Sequence, residues 1–203
     1  LMSYDNEDTQ KSAGRLSAYL GIAKNESTLL EMAITSLSDK VRAGAAQLCA
    51  DMYLSATDKN TLNELLIRFG NDKSQEVREF SHNLMANLRG EALRSHEELI
   101  TALIDSLAFP QCLPQLVLTI HEAPDQVDDI AVACASRFIN EYNQEIGDIS
   151  TSAAGDAQEV AQLLFKAYAR ADPEKRKEII ELLDKMLRYN AYGVGEMISL
   201  FER

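Results

Sequence analysis

Val41-Arg42, with Ala45, Leu48, Cys49 and Met52 behind it, is echoed thirty-six residues later by Val77-Arg78, with Ser81, Leu84, Met85 and Leu88 behind it. An amphipathic run leads into each copy: Leu29, Leu30, Ala33, Ile34 and Leu37 before the first, and Leu62, Leu65, Leu66 and Phe69 before the second. Self-similarity at a fixed period of this size is the signature of stacked helical repeats. One such unit cannot bury its apolar stripe alone and leans on the next. The echo therefore constrains the architecture more tightly than any single motif in the chain.

Helical periodicity runs almost from end to end, and no segment shows the alternation of a strand. The expected helices cover Thr9–Ile22, with Leu16, Tyr19 and Leu20 on one side, then Ser27–Leu37, Asp39–Tyr53, Lys59–Phe69 and Ser74–Leu88. Ser95-His96-Glu97-Glu98 has the spacing of a capping box opening a helix to Leu107. Phe109-Pro110 is read as a break, followed by a short helix through Leu113, Leu116, Val117 and Ile120 with Pro114 in its first turn. Pro124-Asp125 opens the next, with Val127, Ile130, Ala131, Cys134 and Phe138 on its stripe. Gly147–Gly155, rich in Ser, Thr, Ala and Gly, is expected to be a loop. Val160, Leu163, Leu164, Ala167 and Tyr168 line a further helix, and Asp172-Pro173 caps the one carrying Ile179, Ile180, Leu183, Met186 and Leu187. Gly193-Val194-Gly195 reads as a helix stop, and Val194, Met197, Ile198 and Phe201 suggest a final short helix.

Charge excludes one class of partner. The chain has a net charge of −12, and nine acids between His121 and Gln162 (Glu122, Asp125, Asp128, Asp129, Glu141, Glu145, Asp148, Asp156 and Glu159) face Arg137 alone. Phosphate contact requires clustered Lys and Arg, so nucleic acid is not an expected ligand. The acidic stretch is a solvated surface or a docking face for a basic protein. No apolar run approaches the length of a membrane span, so a membrane is not an expected partner. Leu1–Gln10 is polar and acidic, unlike a signal peptide, and an opening on Leu1 rather than Met is expected of a piece of a longer protein. Cys49, Cys112 and Cys134 sit singly among apolar residues, as buried thiols of a reducing compartment do, so the expected location is the cytoplasm.

Motifs that carry chemistry are missing from the sequence. No glycine-rich phosphate loop and no nucleophile elbow is present. His82, His96 and His121 lack the i, i+4 partner of a zinc-protease helix; His82 is expected on a solvated ridge and His96 in the first turn opened by Ser95. Acid pairs such as Asp128-Asp129 and Glu97-Glu98 diverge around a helix instead of converging across a cleft. Neither a catalytic residue nor a metal or cofactor is expected.

Asn71-Asp72-Lys73-Ser74-Gln75-Glu76-Val77-Arg78 resembles the inter-helix turn of a HEAT repeat, where an aspartate precedes an arginine by six residues. The resemblance implies an all-α, armadillo-like fold: a right-handed α-solenoid of about five antiparallel helix pairs. It divides into HEAT-like repeats over 1–108 and diverged repeats with a C-terminal cap over 109–203, one continuous solenoid. The Asp72 carboxylate is expected to cap the second helix while bonding Arg78, with successive units forming a polar ladder. Arg42 is the equivalent arginine of the first unit, where Ser36 stands in place of Asp72.

In such solenoids the second helix of each pair lines the concave surface. On the echo helices the positions off the apolar stripe are Lys40, Gln47 and Asp51, then Glu76, Glu79, Asn83 and Asn87. These are the candidate contacts of a non-enzymatic protein-interaction module: a scaffold, adaptor or sensor for a protein partner, a basic one if the acidic stretch is used. Tyr189 and Tyr192 are either capping residues or further contacts. The run Ile179–Leu187 with Asn190-Ala191-Tyr192-Gly193 resembles the closing helical region of bacterial STAND-type NTPases, which implies the sensing end of a larger protein. The alternative is a HEAT-like enzyme such as a DNA-base glycosylase, which uses a cationic, aromatic groove. A net charge of −12 and the absence of Trp weigh against it.

Overall fold

A computed structural model describes residues 6–57, 59–142 and 151–187. The described residues are all-α, without a strand. They run α1 (Glu7–Ala23), α2 (Ser27–Ile34), α3 (Asp39–Tyr53), α4 (Asn60–Gly70), α5 (Gln75–Arg78), α6 (Phe80–Asn87), a 3-10 turn (Leu93–His96), α7 (Glu97–Ile104), α8 (Phe109–His121), α9 (Asp128–Tyr142), α10 (Thr151–Arg170) and α11 (Pro173–Leu187). They form two compact units, with the chain crossing between them after Leu88, Ile104 and Gln115.

In the first unit α3 is the hub, packing against α1, α2, α4, α5 and α6. Its start is fixed by Ser38, whose hydroxyl accepts the Val41 N–H at 3.3 Å. Ala45, Cys49, Leu66, Val77, Leu84 and Met85 are buried at this hub. Phe69 and Phe80 meet edge to face at 6.3 Å. Cys49 and Cys112 are buried, and burial pushes both thiols up to about 12, far from the range of a reactive thiolate.

α1 packs differently from expectation. Its buried residues are Gly14, Ala18 and Gly21, while Leu16 is 59% exposed and Tyr19 is also exposed. A Cβ on Gly14 would overlap the Val41 carbonyl, and one on Gly44 would overlap the Lys11 carbonyl. Two backbones therefore touch where side chains would ordinarily separate them, and the small-residue face wins over the larger apolar one.

Other local departures have identifiable causes. α2 stops at Ile34, where the Thr35 hydroxyl folds back onto the Glu31 carbonyl at 2.7 Å, and this leaves Leu37 102% exposed. The expected helix Ser74–Leu88 is interrupted at Glu79: the Ser81 hydroxyl donates to the Arg78 carbonyl at 2.8 Å, and a tighter turn carries the chain into α6. Phe109-Pro110 opens α8 instead of breaking the chain, and Pro114 lies inside that helix. The start is set upstream, where the Ser106 hydroxyl accepts the Ala108 N–H at 3.1 Å.

In the second unit α9 packs against α7, α10 and α11, and α10 against α11. Ile100, Cys134, Phe138, Leu164 and Ile179 are among its fully buried side chains. The capping box expected at Ser95 does not form. The Ser95 hydroxyl donates to the Ala92 carbonyl at 2.7 Å, α7 begins at Glu97, and His96 is buried. Asp125 caps this turn from outside, accepting the Leu93 and Arg94 N–H groups at 3.3 and 2.9 Å. That is why α9 begins at Asp128 and not at Asp125. Thr151–Gly155, the second half of the expected Gly147–Gly155 loop, is the first turn of α10; the first half lies outside the described residues. Asp172 does cap α11, accepting the Lys175 N–H at 2.9 Å. Ile180, expected on the apolar stripe of α11, is exposed. Tyr189, Tyr192, Gly193, Gly195 and the last short helix lie outside the described residues.

Glycine substitutions separate the two kinds of position. Gly14→Ala is expected to destabilise the protein by about 1–3 kcal/mol, because the methyl meets backbone that cannot yield. Gly155→Ala, in open space on α10, is expected to stabilise it by about 0.5–1 kcal/mol. Urea denaturation of the two variants checks both signs.

Candidate functional site

The close contact at Gly14 and Gly44 sets α1 against α3 and brings the polar residues of both helices to one surface. On α1, Lys11 and Arg15 are one turn apart; on α3, Lys40, Gln47 and Asp51 share a face. Glu76 on α5, Glu79 in the turn before α6, and Asn83 and Asn87 on α6 complete the set.

Two hydrogen-bonded groups result. Glu76 accepts from Lys11 at 2.7 Å and from Lys40 at 2.6 Å, and Lys40 also reaches Glu7 at 3.2 Å. The two ammonium groups hold the Glu76 carboxyl below its usual value, and Glu76 with Glu7 pulls the Lys40 amine upward. In the second group Arg15 donates to Asp51 at 2.9 Å, the Gln47 amide to Asp51 at 2.8 Å, and the Asn83 amide to Gln47 at 3.1 Å. Five of the seven residues singled out from the sequence (Lys40, Gln47, Asp51, Glu76 and Asn83) are thus joined by hydrogen bonds, directly or through Lys11 and Arg15. Glu79 lines the same surface, and Asn87 is exposed one turn beyond Asn83.

Lys11, Arg15 and Glu7 were not among the expected residues, yet the repeat contained a signal for two of them. Carrying the thirty-six-residue register back from Gln47 and Asp51 lands on Lys11 and Arg15. The same spacing separates the bonded pairs Arg15 with Asp51 and Gln47 with Asn83.

The arginine ladder differs in detail from expectation. The Asp72 carboxylate takes a two-pronged bond from Arg42, at 2.7 and 3.0 Å, and not from Arg78. Arg78 donates instead to the Asp72 carbonyl at 2.7 Å and to the Gln111 side chain at 3.2 Å. Arg42 repeats the first of these contacts thirty-six residues earlier, donating to the Ser36 carbonyl at 2.7 Å. The turn recurs as well: Ser38 N–H on Ser36 Oγ at 3.2 Å matches Ser74 N–H on Asp72 Oδ1 at 2.8 Å. Burial works to raise the Asp72 pKa, but the bonds from Arg42 and the Ser74 N–H outweigh it and leave the carboxyl below its usual value.

A cleft of 170 Å³ opens in this surface, with buried Ala43, Gly44 and Phe80 in its lining and Lys11, Arg15, Glu76, Glu79 and Asn83 around them. A larger cleft of 440 Å³ near Gly21 is lined by Leu30, Met52 and Leu62 with the hydroxyl residues Ser27, Ser55 and Thr61, and among the described residues no charged side chain lines it. In the second unit most of the acidic stretch is internally committed. Arg89 grips Glu122 at 2.7 and 2.8 Å, Arg170 bonds Asp128 at 2.6 Å, Lys175 reaches Asp129 at 3.0 Å, and Arg137 bonds Glu141 at 2.8 Å. Glu145 and Asp148 lie outside the described residues. His82 and His121 are exposed. Among the described residues no cluster of three metal-ligating side chains occurs, and no helix is long and apolar enough to cross a membrane.

No family model matches the chain, and neither a curated protein nor a solved structure matches it.

Two measurements test the electrostatics. Asp72→Ala removes the acceptor of a part-buried fork, with side-chain exposures of 17% and 14%, and is expected to cost on the order of 2 kcal/mol. Because Asp72 and Glu76 have folded pKa values below their usual 3.8 and 4.5, the stabilisation they give is complete above those values and is lost as pH falls through the folded ones. Unfolding free energy should therefore fall on acidification below about pH 4.5, and Glu76→Gln should flatten that fall. Denaturant titrations from pH 3 to pH 7, about one pH unit apart, check the slope.

Proposed function

We propose that the chain is a non-enzymatic helical-repeat interaction module, a HEAT-like right-handed α-solenoid whose concave face binds a basic protein partner in the cytoplasm. The surface built by α1, α3, α5 and α6 is the binding face. Lys40, Gln47, Asp51, Glu76, Glu79, Asn83 and Asn87 are its contacts, joined by Lys11 and Arg15. One observation carries the reading: equivalent positions thirty-six residues apart bond to each other across this face, in Arg15 with Asp51, Lys40 with Glu76 and Gln47 with Asn83. Such a ladder organises a continuous polar surface across successive repeats, as interaction solenoids require.

The chemistry of the surface favours binding over catalysis. The Glu76 carboxyl is drawn down by its two lysines and not up toward neutrality, as a general acid would need. Its cleft is below the roughly 300 Å³ at which small-molecule pockets begin. The buried cysteines, none of them in a disulfide, fit a reducing compartment. The C-terminal resemblance supports reading such a module as the sensing end of a larger NTPase.

The experiment is capture of native partners on immobilised protein, identification by mass spectrometry, and titration of the purified partner. Glu79→Lys, Asn83→Lys and Asn87→Lys together are expected to weaken binding at least about tenfold, a loss of roughly 1.4 kcal/mol, by setting like charge against a basic partner. A triple reversal at exposed Glu174, Glu181 and Asp184 on α11 serves as the control. Equal binding by both triple variants and the parent would refute the assignment of the face.

A further inference from the structure

We propose, building on that reading, that the cleft beside Gly44 is a socket for a single arginine side chain of the partner. Size comes first. At 170 Å³ the cleft is too small for a metabolite and suited to one side chain. The buried part of its lining, Ala43, Gly44 and Phe80, is apolar and suits the methylene stem of a long residue.

Charge decides which long residue. Lys11 is bonded to Glu76 and Arg15 to Asp51, and Glu76 is shared with Lys40. Glu79 is the charged group of the lining that has no hydrogen bond or ion pair among the described residues. Counting Glu7, Asp51 and Lys40 with the four charged lining residues, the surface carries four acids against three bases. Asn83, one turn along from Glu79, gives its amide N–H to Gln47 and keeps its carbonyl oxygen for a donor. The Glu79 carboxylate, in the turn before α6, and the Asn83 amide oxygen both line the cleft as acceptors, and arginine is the side chain that brings several fixed donors and no acceptor.

The interruption between α5 and α6 contributes to this arrangement. Glu79 sits in the tight turn that the Ser81 hydroxyl closes on the Arg78 carbonyl. Glu76 is occupied by two lysines, whereas Glu79 lines the cleft with Phe80 and Asn83.

Titrating the full, isotope-labelled chain with N-acetyl-arginine methylamide tests the socket, with the norleucine and aspartate analogues as comparisons. Saturable shifts of the Gly44 backbone amide and the Asn83 side-chain amide are expected with the arginine compound alone. Glu79→Gln is expected to weaken that binding about tenfold, whereas Glu174→Gln, which removes the same charge from α11, leaves it unchanged. The proposal is overturned if Glu79→Gln binds like the parent, if norleucine shifts the two amides equally, if the aspartate compound shifts them instead, or if none does. Loss of partner capture by the α6 triple variant with no arginine response would sink the socket alone. An arginine response with partner capture unchanged in that variant would sink the partner-binding face while leaving the pocket's preference standing.

Discussion

The Arg42 guanidinium donates backward to the Ser36 carbonyl and forward to the Asp72 carboxylate, so one planar group fixes two successive inter-helix turns relative to α3. Asp72 in turn holds the Ser74 N–H, which sets where α5 begins, and its carbonyl receives Arg78. The Asp72 turn is therefore positioned by the arginine of the repeat before it, and its own Arg78 reaches onward to Gln111. A part-buried, two-pronged ion pair is directional in a way that apolar contact is not. Burial of Leu66, Val77 and Leu84 drives the helices together, and the arginines select the register in which they meet.

Placement of the polar surface follows from that register combined with the glycine contact. Without Gly14 and Gly44 the α1 backbone would stand farther from α3. Lys11 would then lose its reach to Glu76, and Arg15 its reach to Asp51. The surface is thus built from the backbone outward: close packing first, then side chains of complementary charge at matching heights along neighbouring helices. Its polar groups are mostly satisfied by one another, which leaves the few that are not, Glu79 and the Asn83 oxygen, as the points of chemical contrast.

The helical class, the bounds of α3 and the cap at Asp172 were legible because each is set by local chemistry: periodicity, a serine N-cap, and aspartate followed by proline. What was not legible depended on partners distant in sequence. α1 reads as burying Leu16 and Tyr19 when apolar side chains alone are weighed, but its neighbour offers a glycine, and the closer backbone approach buries Gly14, Ala18 and Gly21 instead. The serine at Ser95 has the spacing of a capping box, yet Asp125, thirty residues on, satisfies the backbone donors of that turn and frees the hydroxyl to bond Ala92. Residues of the candidate face on α3 and α6 could be chosen by their position off the apolar stripe. Lys11 and Arg15 required the repeat to be carried back into a helix whose own sequence shows no echo.

Net charge is a poor guide to where this protein is acidic in any functional sense. The His121–Gln162 stretch holds nine acids against one base, but Arg89, Arg170 and Lys175 reach into it from outside, and Asp125 spends its charge on backbone N–H groups. Those carboxylates are matched within the second unit, and exposed pairs of this kind project little field beyond a screening length. On the candidate face of the first unit the excess is small, yet it falls on Glu79, at the edge of a cleft whose buried lining residues are Ala43, Gly44 and Phe80. A single unmatched carboxylate at the rim of a cleft is a stronger determinant of what docks there than five matched ones spread over a helical surface.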